Sequence, residues 1–147
     1  MKIEISNRQT LHPVNTKKIR NLSRWLMLQV EQHFPERKFA ALSVILTDHQ
    51  GMIPVHEAYF GCAETTDVVS LAYDPIPPEK NELSGEIVVN VQRAWEERRR
   101  GSASEELALY IAHGCDHLAG ADDDTEVRRQ AMRKREQGWL RSAAEEG

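Results

Sequence analysis

The run YIAHGCDHLAGADDD, Tyr110–Asp124, carries two histidines four residues apart, His113 and His117, then a glycine, then three consecutive aspartates. Before the glycine the residues read as a helix, SASEELALYIAHGCDHLAG over 102–120. Ser102 or Ser104 is its cap, and Glu105 and Glu106 lie in its first turn. Gly120 stops it, because glycine adopts the left-handed conformation of a helix C-cap without steric cost. After it, residues 123–143 begin with aspartates and read as another helix, with one of Asp122, Asp123 and Asp124 as N-cap. The stretch therefore makes the end of the chain helical.

Working back from it, the earlier half is strand-rich. KIEIS, 2–6, alternates apolar and polar residues as a half-buried strand does. Residues 15–34 place Ile19, Leu22, Trp25, Leu26 and Val30 at helical spacing between Pro13 and Pro35, an amphipathic helix with a core stripe. AALSVILTD (40–48), TTDVVSLAY (65–73) and GEIVVNV (85–91) are branched and strand-like, with a short helix over 51–61. DPIPPEKNEL, with three of the six prolines, reads as a long loop, and VQRAWEERRR, 91–100, as one helix ending at Gly101. Strands followed by helices predict an α+β fold: one domain over 1–147, a four-stranded mixed sheet with helices on one or both faces.

Composition narrows the function. No apolar run approaches bilayer length, and MKIEISNRQT has no signal-peptide h-region, so a cytoplasmic protein without a membrane partner is expected. Cys62 and Cys115 are too far apart for a CxxC motif and read as small semi-buried thiols. A net charge of −4 argues against a basic coat for indiscriminate nucleic-acid binding. Two basic runs, Arg98–Arg100 and Arg128–Arg135, are flanked by glutamates and read as solvated helix faces.

The histidines carry the chemistry. Residues at i and i+4 share a helix face, so His113 and His117 can aim two ring nitrogens at one point. Past the Gly120 turn the chain folds back, and Asp123, three residues on, can return a carboxylate to that point. HxxxHxxGxxD thus supplies two nitrogens and one oxygen, a set that suits one zinc ion with a fourth position open for water. Such a set also serves iron oxygenases, but their triads usually come from strands rather than an HxxxH helix. Gly114 stands where zinc proteases of the HExxH type keep the glutamate base, which disfavours a protease.

Three blocks resemble one family. TTDVVSL, GEIVVN and HGCDHLAGADD look like the YbeY-type endoribonucleases, metal-dependent factors of ribosomal RNA maturation. The first block matches at Thr66, Asp67, Val68 and Ser70, with Leu71 for the family phenylalanine. Gly85, Ile87 and Val89 match the second, with Glu86 for aspartate. His113, Gly114, His117, Leu118, Gly120 and Asp122 match the third, with Asp116 for leucine. A terminal helix bearing Met132 agrees as well. The resemblance implies a zinc-dependent endoribonuclease on single-stranded RNA, with rRNA and small-subunit ribosomal proteins as partners and water on the metal as the reacting group. Two departures stand out. The family's third ligand is histidine, here Asp123. A family arginine expected to assist at phosphate is here Phe60. Arg93 and Arg98 are the nearby candidates to replace it. If nothing replaces it, the protein is a metal-stabilised ribosome-assembly adaptor with weakened catalysis.

Overall fold

The computed structural model describes residues 1–75, 77, 82–98 and 101–146, the last two without side-chain detail. Ile76 and 78–81 of the proline-rich loop, and Arg99 and Arg100 of the basic run, lie outside the described residues.

The elements run β1 (Lys2–Asn7), α1 (Thr16–His33), β2 (Phe39–Thr47), α2 (His49–Phe60), β3 (Val68–Tyr73), β4 (Leu83–Asn90), α3 (Val91–Glu96), α4 (Ala103–Leu118) and α5 (Glu126–Glu146). The strands form one mixed sheet in the order β1-β2-β4-β3, as the expected α+β architecture requires. β1, β2 and β4 are parallel; β3 pairs antiparallel with β4. Parallel neighbours need a crossover, and α1 supplies it between β1 and β2. Side chains alternate across a strand, so Leu42, Val44, Leu46, Ile87 and Val89 face one side. There they meet Leu26, Met27 and Val30 of α1 and Ile111, Cys115 and Leu118 of α4. Val69 and Val88 face the other side and pack on Met52 of α2. Helices therefore cover both faces, unequally, and α5 lies outside against α4 and α1.

The approach of α4 to the sheet is set by two glycines. A Cβ on Gly114 would sit 2.9 Å from Ile87 Cγ2 and 3.1 Å from Val68 Cγ2, and one on Gly85 would sit 2.9 Å from Leu118 Cδ1. Ser70 Oγ donates to the Gly114 carbonyl at 2.9 Å, pinning α4 to β3. Residues that carried the family resemblance, Ser70, Gly85 and Gly114, are thus the ones that seat the histidine helix.

Several boundaries differ from the sequence reading. β3 starts at Val68 rather than Thr65 because the preceding residues are taken by side chains: Asn90 Nδ2 donates to Thr65 Oγ1 and to the Thr66 carbonyl, and Asp67 Oδ1 accepts from the Val68 amide. α3 ends at Glu96, not at Gly101. The Arg98 guanidinium folds over the Trp95 ring at 4.0 Å and donates to the Trp95 carbonyl, which a continuing helix would use. α5 begins at Glu126, and its cap is Thr125, whose Oγ1 accepts from the Arg128 amide, rather than an aspartate. The thiols also differ: Cys62 is exposed and Cys115 fully buried, where burial pushes its thiol well up.

Candidate metal centre

Ser102 caps α4 through the Glu105 amide, and the helix carries His113 and His117 toward its C-terminal end. Gly120, at φ +98°, then turns the chain. Its amide donates to the His117 carbonyl, and the Ala121 amide to the Asp116 carbonyl, the paired bonds of a Schellman cap. The next two residues bring Asp123 back over the histidines. Because Thr125 takes the capping duty, the Asp123 carboxylate is left for that face.

The three donors converge. His113 Nε2 and His117 Nε2 are 3.0 Å apart, and Asp123 Oδ2 is 3.7 Å from the first and 3.5 Å from the second. Donors about 2.0–2.1 Å from a tetrahedral zinc ion are about 3.3 Å from one another. Protonation points the same way. His117 Nδ1 lies 3.1 Å from the Ala121 carbonyl, which can only accept, so the proton sits on Nδ1. His113 Nδ1 lies 3.1 and 3.0 Å from the two oxygens of Glu136, which fixes its proton likewise. Two Nε2 lone pairs then face each other and a carboxylate, an arrangement that calls for a cation or a proton between them. Burial pulls the His113 pKa down, but the hydrogen bond and charge of Glu136, with Asp67 and Asp123, outweigh it and hold the ring above its ordinary value. The residues fit a single divalent ion with a coordination position left open.

Glu136 was not legible as a site residue in the sequence. It comes from α5, is buried, and belongs to a network: Arg135 grips Asp116 with contacts of 2.9–3.0 Å, and Asp116 shares a hydrogen bond with Glu136. Burial pushes the Asp116 carboxyl up to about 7, the Glu136 bond adds to this, and Arg135 opposes it. Two carboxylates can hydrogen-bond only if one holds a proton.

The donors open onto a cleft of about 240 Å³ lined by Asp67, Tyr110, His113, Asp123, Arg129, Arg133 and Glu136, with Leu109. Asp67 lies just before β3, and Tyr110 is held as a phenol, by burial and by its 2.8 Å hydrogen bond to Glu97. Phe60 is elsewhere, 61% exposed and against the His56 ring at 4.8 Å. Neither Arg93, paired with Glu97 at 3.0 Å, nor Arg98, on Trp95, lines the cleft. The cations that do are Arg129 and Arg133, from the run read in sequence as a solvated face. Their signal was spacing: 129, 133 and 136 form one helical stripe.

Among the described residues one other trio brings metal-type donors together: His56, Cys62 and Glu64, on the exposed end of α2. There His56 Nδ1, 3.5 Å from the Cys62 sulfur, already meets the Cys62 carbonyl at 2.9 Å and so carries a proton rather than a lone pair. A larger hollow of about 390 Å³ between α1, α3 and α4 is mainly apolar, and its histidine, His12, is stacked on Trp95.

An α+β sheet bearing an HxxxH helix, with its donors at the mouth of a polar cleft, defines a class of fold and site, and known proteins place the chain within it. The model of the family "Endoribonuclease YbeY" matches residues 4–144. Proteins named Endoribonuclease YbeY are similar over much of the chain: one from Desulforamulus reducens is 32% identical over 77% of this chain and 76% of its own, one from Thermobifida fusca 28% over 99% of each, and one from Geobacter sulfurreducens 26% over 92% and 93%. A Thermotoga maritima protein solved in solution shares the fold, with a TM-score of 0.55 at 22% identity over 99% of this chain and 95% of that one. The chain belongs to the Endoribonuclease YbeY family.

Proposed function

We propose that the protein is a zinc-dependent endoribonuclease that cuts single-stranded RNA during ribosomal RNA maturation in the cytoplasm, with rRNA and small-subunit ribosomal proteins as partners. The observation that carries this is the donor set of His113, His117 and Asp123, with both ring tautomers fixed, opening on a cleft that holds two guanidinium groups. A zinc ion bound here supplies Lewis acidity to a phosphoryl oxygen and lowers the pKa of water.

The side chains divide the remaining work. His113, His117 and Asp123 hold the ion, while Glu136 and the Ala121 carbonyl keep each ring in the tautomer that presents Nε2. Asp67 is the carboxylate placed to take a proton. Its Oδ1 is committed to the Val68 amide, which leaves Oδ2 to accept from a water or from the RNA 2′-OH.

Single-stranded RNA incubated with zinc-loaded and chelator-stripped protein tests the reading. Cleavage only in the loaded sample is expected, and Asp67→Asn should lower it by about 10²–10⁴-fold. Cyclic phosphate ends identify 2′-OH attack; their absence identifies water. Cutting that persists unchanged without zinc rules the reading out. The second reading, an assembly adaptor that no longer cuts, rests on Phe60. It predicts cleavage in Phe60→Arg and none in the native chain.

A further inference from the structure

We infer that Arg133 forms a phosphate seat beside the three donors, one that accepts an anion only when the metal is bound. The inference rests on the nuclease reading above for the identity of the anion, a phosphodiester of RNA. The cation of this seat comes from α5, and Phe60 lies outside the cleft.

The two cleft arginines differ in what they are free to do. Arg129 is engaged: Nε and Nη2 donate to Glu126 Oε2 at 3.2 and 2.9 Å, and Nη1 donates to the Asp123 carbonyl at 3.2 Å. It fixes the backbone of the carboxylate donor. Arg133, one turn further along, is exposed and makes no hydrogen bond or ion pair among the described residues, though it lines the same cleft. A guanidinium offers a planar fork of donors matched to two oxygens of one phosphate.

Charge makes the seat conditional. Asp67, Asp123 and Glu136 line the cleft against Arg133 and an Arg129 already paired with Glu126, so the empty cleft carries net negative charge. A divalent ion at the three donors offsets two of those charges and leaves the Arg133 guanidinium for an anion. The Asp123 carboxylate adds a negative charge that Arg133 offsets. An anionic ligand is repelled from the stripped cleft and attracted to the loaded one, with most of the attraction focused where Arg133 and the open coordination position meet.

Adenosine 5′-monophosphate titrated calorimetrically into the full-length protein tests this without relying on turnover. Zinc-loaded native protein should bind it, and stripped protein at least tenfold more weakly. Arg133→Ala should lose about 10–100-fold with its zinc content unchanged, Arg133→Lys should lose less, and Arg141→Ala should match the native chain. With single-stranded RNA, Arg133→Ala should also lower the slope of log K against log salt by about 0.7. Arg133 is exposed, so the variant keeps its fold. The inference fails if the loaded native protein does not bind the nucleotide, if Arg133→Ala binds it equally well, if zinc is lost with the arginine, or if stripping zinc changes nothing. Nucleotide binding that depends on Arg133 and zinc, in a protein that cuts no RNA, would sink the nuclease reading and leave the seat standing.

Discussion

Glu136 touches no substrate, yet the state of His113 depends on it. Its carboxylate accepts a hydrogen bond from Nδ1–H, which keeps the proton on Nδ1 so that Nε2 presents a lone pair; a neutral amide there would still accept a hydrogen bond but would supply no charge. Glu136→Gln is expected to weaken zinc about 10–100-fold, read by competition with a chromogenic chelator, while the fold remains. Asp123 is the complementary case. Asp123→Ala should leave less than one equivalent of zinc by elemental analysis, and Asp123→His should restore it, because either side chain provides one donor past the Gly120 turn. Unchanged zinc in Asp123→Ala would remove Asp123 from the ligand set. At this scale the sequence was informative where the motif is local. The histidine pair and Asp123 follow from helical spacing and a glycine stop. Glu136 lies on another helix; Met132, Trp139 and Leu140 at helical spacing mark its side of α5 as buried, but that stripe does not tell that Glu136 reaches His113.

At the scale of elements, α4 is held between the sheet and α5, and each contact can be broken separately. Gly114→Ala gains about 1 kcal/mol of helix propensity. The added methyl meets Ile87, Val68 and Ser70 at 2.9–3.1 Å, and overpacking of this kind costs about 1–3 kcal/mol, more once the Ser70 hydrogen bond shifts. A net loss of about 1–2 kcal/mol should appear as a lower denaturant midpoint. On the other side, Arg135→Ala strands Asp116, whose side chain is fully buried, and should cost about 3–5 kcal/mol. Asp116→Leu combined with Arg135→Met should recover most of that, since an apolar pair needs no compensation. The strands and long helices were legible from periodicity. The early end of α3 and the cap of α5 were not, because Arg98 folding onto Trp95 and Thr125 displacing the aspartates are choices among side chains that sequence pattern treats as equivalent.

For the whole molecule, the core of β1, β2, β4, α1 and α4 is continuous and contains none of the three donors. No helix among the described residues is long and apolar enough to cross a membrane. All three donors fall within positions 113–123, so an ion joining them closes only a short loop and adds little to the constraint of the chain. Chelation should therefore leave far-ultraviolet circular dichroism unchanged and lower the melting temperature only by mass action. The stabilisation lost is about 2.7 kcal/mol if zinc had stood at 100 times its Kd. Loss of helical signal on chelation would show that the ion is structural.

The outer position of α5 has a consequence in time. Synthesis runs from the N-terminus, so the four strands and every donor up to Asp123 have been made before the last helix exists. A nascent chain at that stage owns the ligands but lacks Glu136 to set the His113 ring, Arg129 to fix the Asp123 backbone, and Arg135 to pair with Asp116. The final helix acts as a latch, and only a chain translated through it carries a finished centre.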